Sequence, residues 1–445
     1  MVPLLATLCA YYLPDFIDNL ILPKPPSPET SSGQPRHWGP YNHSDCSADG
    51  STSRSYNLHV ADEILVDLNN RLQLWRPPGA PMEHNDDSWN YGIDSNFLSK
   101  LVMYWKDDYD WRKYETHLNE IGLSETVVDG LLIRFHHIQR GEGNKAILLL
   151  HGWPGSIIEF HTFIQIIQQQ KDLDEYSIVC PSLPGYGFSS APTIEGYNIV
   201  AMAGTISRLM EEKLGYKQYI IQGGDWGSLV AQSIAYLNPP GLVGLHLNFF
   251  PVGPSPGHFL LDDIKVKFFD DKDSQMRAAK ARDFADVLMQ TGYLHQQATK
   301  PETLGYALSD SLVGLCAWIG EKFQSWSDPS LPLEEKFNID DLLTNCMVYW
   351  VTNSITSSMR LYKEQFRTTE GNAVGSLKVK VPVALSLFPH ELFPPADTQI
   401  KRKFQNIVLF RKHTQGGHFA ALEKPDLLVG DLVDFVRSVE YMAVD

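Results

Sequence analysis

The sequence predicts an α/β fold: a mostly parallel sheet with crossover helices, interrupted by a helical lid insert and preceded by a helical meander. Three observations predict it. Short apolar runs alternate with helical patterns from Lys145 onward, which is the signature of strands joined by crossover helices. The alternation stops from about Pro251 to Ser376, where helical spacing dominates, and then resumes. Before Lys145 the chain is rich in Trp, Tyr and charge, and its apolar residues recur three and four apart.

In chain order, residues 1–54 read as an arm and linker. Met1 to Leu13 is largely apolar but is interrupted by Pro14 and Asp15, with no Lys or Arg ahead of it. It lacks a clear secretory pattern and is too short to span a bilayer, so a short arm or helix packed on the body is expected. Pro23 to Arg54 carries the Pro, Ser, Gly and Asn of an irregular wrapping segment. Residues 55–142 form the meander, with helices expected at Ala61–Leu72, Ser95–Lys106 and Trp111–Ile121. Residues 143–250 form the first part of the core, with strands at Lys145–Leu150, Tyr176–Cys180, Tyr219–Gln222 and Leu245–Phe250. Helices are expected between them, among them Ala203–Leu214 and Ser228–Leu237. Residues 251–376 are the lid, and residues 377–445 return to the core with strands Val381–Phe388 and Asn406–Phe410 and a last helix from Pro425 to about Ser438.

Composition narrows the function. At 445 residues, 43% hydrophobic and 20% charged, the chain is an ordinary globular protein. A formal charge of −16 offers no basic surface for phosphates, so no nucleic-acid partner is expected. Cys9, Cys46, Cys180, Cys316 and Cys346 are scattered and show no C-x-x-C spacing, which argues against a disulfide framework or a zinc site. Cys180 and Cys346 lie in apolar stretches and are expected to fill core space. With no span evident, a cytoplasmic location is expected.

The chemistry concentrates in Gly223-Gly224-Asp225-Trp226-Gly227, placed between a strand and a helix. Small residues around a central one permit the tight strand-to-helix turn called a nucleophile elbow, the mark of the α/β-hydrolase fold. The central residue here is Asp225, not Ser, and a carboxylate is already a nucleophile at neutral pH. Read alone, it has the capping of the next helix by a turn residue as its alternative, with function the favoured reading. His151-Gly152-Trp153-Pro154-Gly155 follows an earlier strand and can aim the Trp153 N–H at the same point as the Trp226 N–H, giving an oxyanion hole. His151 itself is expected to order this loop. The expected base is His418, flanked by Gly416 and Gly417 after the last strand, because such sites run nucleophile, acid, histidine along the chain. His413 is its rival. Glu391, after Pro389-His390, is the expected carboxylate partner, with Asp397 as fallback and Asp426 read as a first-turn helix residue.

Together His-Gly-Trp-Pro, Gly-Gly-Asp-Trp-Gly, Phe388-Pro-His-Glu391 and Gly-Gly-His-Phe-Ala-Ala-Leu-Glu423 resemble the microsomal-type epoxide hydrolases, including soluble fungal members. The resemblance covers roughly Ser55 to Ser438 and makes the meander similar to that family's N-terminal domain. Some relatives carry Asp where Glu391 stands. It implies two lid tyrosines that donate to the epoxide oxygen, which match Tyr293 and Tyr362. It also implies a small-molecule epoxide as substrate, an ester on Asp225 hydrolysed by water under His418 and Glu391, a vicinal diol as product, no cofactor, and a homodimer. A haloalkane dehalogenase shares nucleophile, base and fold, and Trp226 is compatible with halide binding. A non-catalytic ligand-binding relative is the other alternative.

Overall fold

The computed structural model describes residues 37–42, 52–79, 89–252, 290–368 and 374–442. The apolar N-terminal stretch, most of the Pro-rich segment and the start of the lid lie outside them. Nine strands form one sheet among the described residues, in the order β1-β2-β3-β5-β4-β6-β7-β8-β9. They are β1 (Arg54–Tyr56), β2 (Leu123–Val128), β3 (Leu131–Ile138), β4 (Lys145–Leu150), β5 (Tyr176–Pro181), β6 (Gln218–Gly223), β7 (Leu242–Leu247), β8 (Val383–Leu387) and β9 (Ile407–Lys412). From β5 through β4 to β9 every pair is parallel.

Burial explains the parallel half. Residues Ala146 to Leu150 of β4 are wholly inaccessible, as a strand covered on both faces by helices must be. The crossover helices include α4 (His161–Ile167), α5 (Ile199–Arg208) and α6 (Asp225–Leu237), with α15 (Pro425–Met442) closing the C-terminal part. α6 stops where Asn238 turns left-handed, ahead of Pro239 and Pro240, which cannot continue a helix. β7 starts three residues earlier than the apolar run suggests. Gly244 lets α15 pack close, since a Cβ there would stand 2.8 Å from the Phe435 ring and 2.8 Å from the Pro382 carbonyl.

The stretch expected to be a helical meander is partly β. It supplies α1 (Asp62–Leu74), α2 (Ser95–Asp107) and α3 (Trp111–Ile121) as expected, but also β2 and β3, which extend the sheet by antiparallel pairing onto β5. The signal was a two-residue Asp-Gly loop between apolar runs, which favours a tight hairpin turn with both central residues at positive φ. Asp129 has φ 53° and Gly130 φ 76°. The Asp129 carboxylate then accepts from Thr205 Oγ1 at 2.6 Å and Arg208 Nε at 2.8 Å, tying the turn to α5. A Cβ on Gly130 would meet the His37 ring at 2.6 Å and the Gly39 carbonyl at 2.7 Å. Gly130→Ala should therefore cost about 1–3 kcal/mol, read as a lowered midpoint in urea.

The described lid helices are α7 (Gly292–Thr299), α8 (Pro301–Asp310), α9 (Leu312–Ser325), α10 (Leu333–Lys336), α11 (Ile339–Val351) and α12 (Ile355–Arg367). The short helices α13 (Asp397–Lys403) and α14 (Ala420–Glu423) belong to the returning core. Meander and lid are joined through α11. Tyr104 and Tyr114 each donate to the Asp340 carboxylate, at 2.7 and 2.6 Å, and the Tyr109 hydroxyl pairs with Thr344 at 2.9 Å. Cys180, Cys316 and Cys346 are buried free thiols. No helix among the described residues is long and apolar enough to cross a membrane.

Candidate active site

The ends of β4, β6, β8 and β9 converge at the carboxyl edge of the sheet, where ligands of open α/β folds bind. At the end of β6 the chain turns directly into α6, one turn earlier than the helical pattern alone suggests. Asp225 begins the helix with φ 44°, a conformation that side chains rarely adopt and that clusters at functional sites. The turn is tight enough that a Cβ on Gly227 would lie 2.0 Å from the Leu150 carbonyl oxygen. Trp226 N–H lies in the first turn of α6, where no preceding helical carbonyl accepts it.

The loop after β4 completes the cradle. Trp153 N–H donates to Asp225 Oδ1 at 2.7 Å. Gly152 must be small, because its Cβ would sit 2.2 Å from that same oxygen. The lid holds this loop in place: Asn345 Nδ2 donates to the Pro154 carbonyl at 2.8 Å, and Tyr349 Oη donates to the Gly155 carbonyl at 2.6 Å. His151 has the ordering role expected of it. Its Nε2 accepts from Leu183 N–H at 3.1 Å, its Nδ1 faces the Gly152 carbonyl at 3.0 Å, and burial pushes its pKa down to about 4.

His418 and Glu391 meet in a buried pair, with Nδ1 2.5 Å from Oε1. The same carboxylate oxygen accepts from Leu392 N–H at 2.6 Å. With Nδ1 directed at Glu391, the other ring nitrogen, Nε2, faces Asp225 and lies 3.3 Å from Oδ2. Burial works against a charged imidazole here, but the Glu391 and Asp225 carboxylates outweigh it and hold the pKa well above the ordinary value. Burial likewise raises Glu391, against the lowering effect of His418. The rivals stand elsewhere. His413 Nε2 pairs with Asp431 at 2.7 Å, Asp397 pairs with Lys412 at 3.0 Å on the surface, and Asp426 lies in the first turn of α15.

The lid brings the two tyrosines over this cradle. Tyr293 of α7 stacks on Trp153 at 5.5 Å between ring centroids, and Tyr362 of α12 meets Trp226 edge-on at 4.8 Å. The two phenol rings are 6.1 Å apart. Burial, with the nearby Asp225 charge, raises both phenols above their usual range, so they stay protonated at neutral pH. The other six residues expected at the site are thus gathered around Asp225.

Other contributors carried no sequence signal. Trp326 packs 5.1 Å from both the Tyr293 and His418 rings, and its carbonyl accepts His418 N–H at 3.0 Å. Glu159, Gln222 and Asn248 line a small cavity beside Asp225. A groove of about 540 Å³ between Pro184, Tyr197, Lys300 and Arg360 contains none of the expected site residues, so size alone does not mark the site.

Known proteins resemble this chain over most of its length. Residues 53–160 match the family model described as epoxide hydrolase N terminus, and residues 145–283 match that of the alpha/beta hydrolase fold. Epoxide hydrolase 1 of Sus scrofa is 36% identical over 424 residues, covering 91% of this chain and 92% of that protein. Juvenile hormone epoxide hydrolase 1 of Ctenocephalides felis is 34% identical, covering 86% and 85%. The crystal structure of juvenile hormone epoxide hydrolase from the silkworm Bombyx mori superposes with a TM-score of 0.82 at 31% identity, over 92% of this chain and 99% of that one. The Aspergillus niger epoxide hydrolase superposes at 0.69 with 30% identity, over 87% and 96%. Likeness of this extent, over nearly the whole length of each relative, places the chain in the epoxide hydrolase family on the α/β-hydrolase fold.

Proposed function

We propose that this protein opens epoxides with water through a covalent hydroxyalkyl ester on Asp225. The observation that carries the proposal is how the Asp225 carboxylate is divided. Oδ1 is fixed by the Trp153 amide, while Oδ2 lies 3.3 Å from His418 Nε2. Oδ2 attacks an epoxide carbon, the C–O bond breaks, and Tyr293 or Tyr362 gives its proton to the departing oxygen. Oδ1 becomes the ester carbonyl. Water then loses a proton to His418 Nε2 and attacks the ester carbon. The resulting oxyanion rests on the Trp153 and Trp226 N–H groups. Its collapse breaks the ester bond as His418 passes its proton to the leaving oxygen, freeing the diol, and the second water proton returns to the tyrosine, leaving Asp225 ionised.

His418 changes character between the stages. While Asp225 is anionic, two carboxylates hold the imidazole toward its protonated form. Esterification removes one of those charges, and the pKa falls toward a range in which Nε2 can accept a proton from water. A haloalkane would meet the same nucleophile, and the buried indole N–H groups of Trp153 and Trp226 have no acceptor. The paired phenols favour an oxygen leaving group, and release of chloride from a chloroalkane beside diol formation from an epoxide separates the two.

Single-turnover reaction in ¹⁸O-water tests the scheme. The first diol should be unlabelled, because its new oxygen comes from Asp225, and the label should appear in the Asp225 peptide. A fully labelled first diol would mean direct attack by water and overturn the ester mechanism.

A further inference from the structure

The cavity beside Asp225 has a volume of about 10 Å³, on the scale of a single water molecule. Neither Tyr293 nor Tyr362 lines it. It is bounded instead by Glu159, Gln222, Asn248, Asp225 and His418, with Phe160 and Phe419 as apolar walls. A water needs two to four polar partners to be held, and this lining supplies them. His418 Nε2 and Gln222 Oε1 are both buried with no hydrogen-bond partner. Gln222 is oriented by its amide, which donates to Asn248 Oδ1 at 2.9 Å.

Glu159 is the one acidic side chain in this lining besides Asp225, and the chain makes specific room for it. It sits in the single helical turn Ile157–Phe160 that follows the loop after β4. Its Oε1 occupies the space where a side chain on Gly155 would begin, 1.3 Å from the ideal Cβ position. The two outer glycines of the loop thus share a purpose: Gly152 leaves room for the Asp225 carboxylate, and Gly155 leaves room for that of Glu159. The carboxylate also accepts from the backbone N–H of Ser156, the N-cap of this turn, which fixes its direction beside the cavity. Burial, with the neighbouring Asp225 charge adding to it and His418 opposing it, pushes its pKa up to about 8. A carboxyl raised this far keeps its proton at neutral pH.

We propose that Glu159 is a further catalytic residue, whose carboxyl holds the hydrolytic water between itself and His418 Nε2 in a chamber separated from the epoxide-binding tyrosines. The proposal rests on the ester mechanism above. One hydrogen of the water points to His418 Nε2 and the other to Glu159, so that an oxygen lone pair faces the ester carbon of Asp225. His418 takes the first proton as the O–C bond forms. Once Asp225 is esterified its charge no longer opposes ionisation of Glu159, and a carboxylate there also steadies the imidazolium that develops.

The role predicts a split between the two chemical steps. In single-turnover reactions, Glu159→Leu should slow ester decay by about a hundredfold and Glu159→Gln, which keeps an acceptor, by about tenfold. Alkylation should stay within about threefold of wild type, so both variants accumulate an adduct on Asp225. A purely structural contribution would slow both steps together, and that result, or unchanged ester decay in Glu159→Leu, would overturn the assignment. Gly155→Ala, which displaces Glu159 without removing it, should show the same split. Wild-type enzyme that forms no ester would sink the ester mechanism itself, an outcome distinct from wild type that forms ester while the variants match it.

Discussion

Replacing His418 with glutamine should leave an enzyme that reacts once and stops. About one equivalent of epoxide is consumed, steady-state turnover falls roughly 10²–10⁴-fold, and the Asp225 peptide gains the mass of the substrate. The asymmetry follows from what each step needs. Alkylation needs an ionised carboxylate and an acid for the oxygen, and neither is supplied by the imidazole. Hydrolysis needs a base to take a proton from water, and Nε2 is the nitrogen placed for it, 3.3 Å from Oδ2 and free of other hydrogen bonds. The pH dependence has a definite sign. Wild-type ester decay should weaken as pH falls through the His418 pKa of the ester state, since the protonated ring cannot accept. That limb should vanish in His418→Gln. If the initial burst disappeared together with turnover, the histidine would be required for alkylation and the division of labour would fail.

Much of this site was legible in the sequence because its parts are local. Gly223 to Gly227 form a strand-to-helix turn whose small residues are needed within a few positions of Asp225, so sterics alone mark it. Glu391 and His418 were readable from order along the chain, each following a strand of the same sheet. Contacts distant in sequence were not readable. Asn345 and Tyr349 clamp the loop after β4 across 191 and 194 residues, yet in the sequence they are ordinary members of an apolar helix. Glu159, in an apolar turn, looks like a surface residue until the Gly155 backbone and the cavity are seen together. The β2–β3 hairpin is a different case. Its Asp129-Gly130 signal was present, but the surrounding charge and aromatic content suggested helices, and only pairing with β5 shows the edge of the sheet.

Removing both lid hydroxyls should block the reaction at the opposite end. Tyr293→Phe with Tyr362→Phe should lower the alkylation rate about 10²–10⁴-fold and leave no adduct on Asp225, with each single change costing less. Opening the ring places a full negative charge on an oxygen inside a site walled by Trp153, Trp226 and Trp326, where water cannot solvate it. A phenol stabilises that charge by giving up its proton, and its raised pKa keeps the proton available across the neutral range. Phenylalanine keeps the packing: the stack on Trp153 at 5.5 Å and the edge contact with Trp226 at 4.8 Å involve rings, not hydroxyls. A lost burst with unchanged thermal stability would therefore assign the effect to the O–H groups. In this scheme either phenol can retain part of the rate, because their rings are only 6.1 Å apart. A double variant that still alkylates at the wild-type rate would mean that another donor protonates the oxygen, and the lid would then act only as a wall.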